Sequence, residues 1–183
     1  RSWICLPLVM GLESRKEGTV EAMLSSYLWT EKGMYTCEPG DENPSDTIWD
    51  RAALYGFKGA FLAGKGDRVF KDLIHYCKMR LLGDRVPYPV EAWPEGNMRH
   101  LSGESALFCR IITEGMLGLE PTGMNSFAVT PRLPSELDHL HLKNIYLCGR
   151  KIDIIADRDN TSVYEGGKLL RKTAMGTRVE IIL

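Results

Sequence analysis

The side chains best equipped for chemistry in this chain are carboxylates set beside tryptophans. Two long, proline-bearing segments carry most of them. The first, 35–46, includes Tyr35, Thr36, Cys37, Glu38, Pro39, Gly40, Asp41, Glu42 and Asn43. The second, 83–101, includes Pro87, Tyr88, Pro89, Glu91, Trp93, Pro94, Glu95, Asn97, Arg99 and His100. Both exceed the ~2–8 residues that usually join packed helices, and long ordered loops on helical scaffolds tend to be functional. Apolar ring faces to stack on, with acids that move protons, are what recognising and cutting a sugar requires. Glycosidic cleavage commonly uses two carboxyl groups, one donating to the leaving oxygen and one acting on the opposite face. By type, Glu38, Asp41, Asp50, Glu91, Glu95 and Glu104 all qualify. Spacing alone does not choose among them.

Other reactive residue types form weaker patterns. The cysteines Cys5, Cys37, Cys77, Cys109 and Cys148 are odd in number, widely spaced and without a CxxC pair, so they read as buried free thiols rather than as a zinc site. His139 and His141 alternate on one strand face, but no third ligand is evident, and no metal site is assigned. The run Asp157, Arg158, Asp159, Asn160 lacks the glycine and closing glutamate of a calcium-binding EF-hand loop and reads as a polar turn. No cofactor is implied.

Composition narrows the field. The 183 residues are 44% hydrophobic and 26% charged, values of an ordinary globular protein. Lys and Arg number 23 against 24 Asp and Glu, so the basic excess of a nucleic-acid binder is missing. No run nears the ~20 apolar residues that cross a bilayer. Nucleic acid and membrane are therefore not expected partners. The chain opens Arg1-Ser2-Trp3 and reads as cut at its start, which leaves the compartment open, periplasmic and extracellular locations included.

The elements that must position these residues change character near Gly118. Before it, helices are expected over 4–12, 19–28, 46–64, 67–83 and 102–117. In the third, Ile48, Trp49, Ala52, Ala53, Tyr55, Ala60 and Phe61 recur at helical spacing. Gly56 and Gly59 cost that helix about 1 kcal/mol each relative to Ala, which implies very close packing of another backbone. Asp67 reads as an N-cap, Gly83 as a left-handed helix end, and Val69, Phe70, Leu73, Ile74, Cys77 and Leu81 as the stripe between them. Ser102 reads as the next cap, with Glu104 in the first turn suiting the helix dipole. After Gly118, strands are expected at 127–129, 140–147, 151–156, 162–164 and 178–183, with a tight turn at Gly166-Gly167. Helices followed by strands imply segregated α and β parts.

At this point a resemblance enters. Pro87-Tyr88-Pro89-Val90-Glu91-Ala92-Trp93, followed by His100-Leu101-Ser102-Gly103-Glu104-Ser105-Ala106-Leu107, resembles the last hairpin of six-hairpin glycosidases. These are (α/α)6-toroid enzymes that include trehalase-like and glucosidase-like families. Asp46-Thr47-Ile48-Trp49-Asp50-Arg51 is similar to their segment that places a Trp in the sugar pocket. The run 113–123, then Phe127-Ala128-Val129-Thr130-Pro131, resembles the end of their last helix and their β-cap. The resemblance implies a mainly α fold with a β appendage: late toroid hairpins over 1–118, then a small antiparallel β-cap over 119–183. It also implies inverting hydrolysis, with Glu91 as general base and Trp49 and Trp93 as aromatic walls. Asp50, Arg51 and His100 become substrate-binding candidates and Glu104 the alternative acid.

Two alternatives stand beside that reading: an inverting disaccharide phosphorylase, and a non-catalytic carbohydrate-binding or structural fragment. The expected partners are an oligosaccharide or glycoside, and either the remaining toroid hairpins or a second copy covering an apolar helix face. The family's general acid lies on an earlier hairpin, so the isolated chain is expected to lack activity.

Overall fold

The computed structural model describes residues 1–12, 14–37, 48–82, 92–93 and 102–183, with 92, 93 and 102 by backbone alone. Contacts divide the chain into two units, Arg1–Ile111 and Ile112–Leu183.

The first unit is built around one helix, α3 (Asp50–Leu62), against which α1 (Leu6–Val9), α4 (Gly66–Arg80) and α5 (Ser102–Arg110) pack. Ala52, Ala53, Ala60 and Phe61 of α3 are fully buried, so this helix is apolar almost all round. Its glycines explain how neighbours come so near. A Cβ on Gly56 would meet the Met34 side chain at 2.7 Å, and one on Gly59 would meet the Leu8 Cβ at 2.9 Å. An aromatic chain crosses the unit from Trp29 through Phe57 to Tyr76, with ring centres 5.1 and 5.8 Å apart. The Trp29 indole N–H donates to Asp72 at 2.8 Å and so satisfies its only polar atom.

Several expected helices are shorter than their sequence periods. Residues 4–12 give a 3-10 turn (Ser2–Cys5) and the single turn of α1, because Pro7 can serve only near a helix start. The 19–28 period shrinks to α2 (Lys16–Met23) and gives way to a small hairpin, β1 (Trp29–Thr30) with β2 (Gly33–Met34). The helix expected from Asp46 starts at Asp50, because Ile48–Trp49 forms a strand, β3, paired antiparallel with β4 (Ala92–Trp93). In α4 the capping position falls to Lys65, not Asp67, and no side chain caps it. The buried face of α4 is Val69, Leu73, Tyr76 and Arg80, while Ile74 is 41% exposed. The expected stripe is thus rotated by part of a turn. Gly83 lies outside the described residues.

A π-helical turn, Ile111–Met116, continues α5 across the boundary into the second unit, with the Leu117 N–H donating to Ile112 O at 3.0 Å. Gly118 then turns the chain at φ +61°. Two antiparallel sheets follow. One orders β11 (Val179–Ile182), β6 (Ser126–Val129) and β5 (Glu120–Gly123); the other orders β10 (Lys168–Ala174), β9 (Asn160–Glu165), β8 (Arg150–Asp157) and β7 (His139–Leu147). Leu117, with Phe127, Val129, Ile152, Ile154, Ala156, Val163, Val179 and Ile181 from the inward-facing alternate positions of these strands, forms one buried core. The sequence identified five of these strands and the Gly166-Gly167 turn, but missed β5 and β10.

The mainly helical expectation is corrected here. A toroid needs long paired helices, whereas among the described residues only α3 (13 residues), α4 (15 residues) and α5 with the π turn that continues it exceed nine residues. Short antiparallel strand pairs interrupt even the helical unit, and the second is a β-structure after its π turn. The fold is mixed α and β.

Candidate functional site

The junction of β3 and α3 gathers four of the residues singled out by type. Trp49 is extended (φ −105°, ψ 108°), so Asp50 becomes the first helical residue and Arg51 the second, pointing about 100° away around the axis. Each reaches a different element.

Asp50 is completely buried. Its Oδ2 accepts a hydrogen bond from Arg80 Nε at 2.9 Å and from the Tyr76 hydroxyl at 3.3 Å. Arg80 is itself 1% exposed, and its Nη2 also donates to Lys32 O at 3.0 Å, tying the end of α4 to the β1–β2 turn. Burial pushes the Asp50 carboxyl up from its ordinary value, and the charge of Glu104 adds to the rise, against the opposing pull of Arg80 and Tyr76. The Tyr76 hydroxyl is raised well above the usual phenol range, by burial first and by the Asp50 charge second.

Arg51 reaches α5. Its Nε donates to Glu104 Oε1 at 2.7 Å, with the Glu104 side chain fully buried and that of Arg51 35% exposed. The same guanidinium sits 5.9 Å from the Trp49 ring centre, within cation–π range. Trp3 packs edge-on against Trp49 at 5.1 Å and lies 6.2 Å from Tyr55. Trp3 is also 39% exposed, so the aromatic group borders solvent.

Among the described residues, two carboxylates and two guanidiniums share this junction, and their formal charges cancel. Each carboxylate has one engaged oxygen. Asp50 Oδ1 and Glu104 Oε2 are buried with no hydrogen-bond partner among the described residues. A buried acceptor without a donor is costly, at about 1–3 kcal/mol, and is normally met by a water or a ligand.

Trp49, Asp50, Arg51 and Glu104 are thus brought together. The backbone of Trp93 pairs with Ile48, and that of Ala92 with Trp49. Glu91, His100, Glu38, Asp41 and Glu95 lie outside the described residues, so the sequence-based expectation for a Glu91–Trp93–Trp49 pocket does too. Sequence reasoning missed Tyr76, Arg80 and Trp3. A signal existed for the first two: Tyr76 and Arg80 stand four apart on α4 and so share a face. An arginine in a last helical turn, however, reads first as a partner of the helix dipole. The cysteine expectation needs correction as well: Cys5 and Cys37 are buried, but Cys109 and Cys148 are exposed. A separate open hollow of about 560 Å³, lined by Glu21, Ser25 and Tyr27 among others, shares no residue with this junction.

No protein-family profile and no curated sequence is similar to the chain. Among solved structures it resembles one described as a sialidase, with a TM-score of 0.68 and 17% sequence identity over 93% of this chain. The chain spans 19% of that structure's length. At this identity the likeness concerns fold alone. It runs to a sialidase and not to an (α/α)6-toroid enzyme, and so the six-hairpin resemblance is overturned.

Proposed function

We propose that this chain contributes sugar-binding and carboxylate groups to a glycoside hydrolase of inverting mechanism. The observation that carries the reading is the pair of buried carboxylates, each with one unpartnered oxygen, beside an aromatic group that reaches solvent. Such oxygens accept hydroxyl donors. Because Arg51 and Arg80 already balance the charge of Glu104 and Asp50, the junction suits an uncharged, hydroxyl-rich ligand better than a cation. The fold likeness to a sialidase, a glycoside hydrolase, agrees with a carbohydrate role.

In this reading Glu91 is the general base that activates water, and Trp49 and Trp93 flank the sugar. Glu91 immediately precedes Ala92 in sequence, and the Ala92 backbone pairs with Trp49 at the start of α3. Glu104 is the candidate acid: Arg51 holds Oε1, and the buried Oε2 has no hydrogen-bond partner among the described residues. Inversion needs the two carboxyls ~6.5–9.5 Å apart, with room for water between them. Asp50, Arg51 and His100 serve as binding groups.

The test is a panel of neutral oligosaccharides and aryl glycosides, with a sialoside as the acidic control. Binding is followed by tryptophan fluorescence, and turnover by NMR of the released anomer. Neutral sugars are expected to bind more tightly than the sialoside, with Trp49→Ala weakening binding roughly tenfold. In the polypeptide that turns substrate over, Glu91→Gln should lower kcat by about 10²–10⁴ with binding retained. Turnover that survives both Glu91→Gln and Glu104→Gln would remove these residues from the chemistry. Binding without turnover would favour the glycan-binding alternative, and absence of both would end the carbohydrate reading.

A further inference from the structure

The outer face of the four-stranded sheet carries a feature that the proposed sugar chemistry does not use. His139 and His141 are separated by one residue on β7, and strand geometry sets both on one face. Their partners across the ladder are Asp157 and Ile155 of β8. The intervening β8 residues Ile152, Ile154 and Ala156 are fully buried in the core, and Leu140 and Leu142 pack against that same core. The two histidines therefore occupy the opposite face, and both are exposed. Their ring centres stand 5.0 Å apart, with planes inclined by 48°.

That separation is compatible with two rings sharing one ion. With metal–nitrogen bonds of about 2.0–2.1 Å and a ligand–metal–ligand angle of roughly 90–110°, two imidazoles on one ion have ring centres roughly 4.6–5.3 Å apart. The observed 5.0 Å between ring centres falls within that range. The strands that hold them are fixed by the β7–β8 ladder, so binding would demand little reordering. The charged groups near the pair are Lys143 of β7, Asp157 of β8 and Lys172 of β10. Asp157 is the anion among them, and its Oδ1 is pinned at the strand end by the backbone N–H groups of Asp159 and Asn160, at 2.9 and 2.6 Å.

The geometry points to a two-histidine binding site for a divalent transition-metal ion on the outer face of β7. Among the described residues no group of three or more His, Cys, Asp or Glu is placed to hold a metal ion, so water fills the remaining positions and binding is moderate. Imidazole nitrogen selects copper(II), nickel(II) and zinc over calcium and magnesium, which take oxygen ligands. Within the first group copper(II) binds most tightly. Lys143 opposes the ion, so its removal strengthens the site.

The experiment uses the tag-free, metal-free 183-residue chain, titrated at neutral pH with copper(II), zinc and magnesium chlorides by calorimetry. The expected result is one copper(II) per chain at roughly micromolar Kd, weaker zinc, and no response to magnesium. His139→Gln and His141→Gln should each weaken copper by roughly tenfold or more, while His75→Gln leaves it unchanged. Circular dichroism of these surface variants confirms an intact fold. As a second readout, copper(II) should broaden the ring NMR signals of His139 and His141 together, ahead of the other histidines. Affinity that persists in the double variant, or single variants equal to the parent, would overturn the site.

Discussion

Arg80 and Asp50 set the character of the junction at the residue scale. Both are essentially buried and joined at 2.9 Å, and Tyr76 adds a further donor to the carboxylate. Removing two charges from water costs several kcal/mol per ion, so this pair is weak evidence of net stabilisation. Its halves are nevertheless bound to each other. Arg80→Met should destabilise the chain by about 3–5 kcal/mol, because it strands a buried carboxylate. The double replacement Asp50→Leu with Arg80→Met should restore most of that loss. Urea unfolding of parent, single and double variants measures both, and a single variant within about 0.5 kcal/mol of the parent would contradict the argument. The cysteines allow a second check at this scale. Burial pushes the Cys5 thiol up to about 12, so it remains protonated and unreactive through neutral and mildly alkaline pH. Ellman's reagent at pH 8 should therefore label exposed Cys109 and Cys148 rapidly in the native chain, with Cys5 reacting only after unfolding. Fast labelling of Cys5 would show that its surroundings open.

Among the elements, the π turn and its exit decide how the second unit begins. Gly118 sits at φ +61°, and its carbonyl accepts the Thr130 N–H at 3.2 Å, while the Arg132 N–H returns to Met116 O at 2.6 Å. A Cβ there would lie 2.2 Å from Thr130 O and 2.8 Å from Arg132 Nη1. Arg132 Nη1 is the end of a flexible side chain, but Thr130 O is backbone, in the residue whose N–H helps close the turn. Gly118→Ala should thus combine left-handed strain with overpacking, for a loss of about 2–5 kcal/mol. Gly166 has φ +53° but nothing within 4 Å of its would-be Cβ, so Gly166→Ala should cost only about 1 kcal/mol. Equal losses for the two, measured by chemical denaturation, would show that close approach contributes nothing at Gly118. The β3–β4 pairing makes the complementary point. Two residues per strand are too few to be read as a period, yet they bring the backbone of Ala92 beside Trp49 across 43 positions of chain.

Across the whole molecule, what the sequence determined by itself follows from local rules. The switch from helical to alternating period near Gly118, the Gly166-Gly167 hairpin and the strands around Phe127, Ile152 and Val163 were legible, because β-branched alternation and glycine turns act over a few residues. Close packing on Gly56 and Gly59 was legible too, although the nearest atoms are side chains of Met34 and Leu8 and not the expected backbone. Carboxylates and tryptophans marked the junction by type, and Trp49, Asp50, Arg51 and Glu104 do meet there. The family-level inference failed for a related reason: motifs in order resemble a toroid, but the helix lengths that a toroid needs are set by packing, and most helices among the described residues are short. Only the tertiary structure decided that Arg80 and Tyr76 would close on Asp50, that Trp3 would join Trp49, and that Asp50 Oδ1 and Glu104 Oε2 would be left without donors. It also set the two imidazoles of β7 at an ion's span. These are long-range facts. A side chain's charge and size are written in the sequence, but its partner is chosen by which elements the core brings within about 3 Å of it.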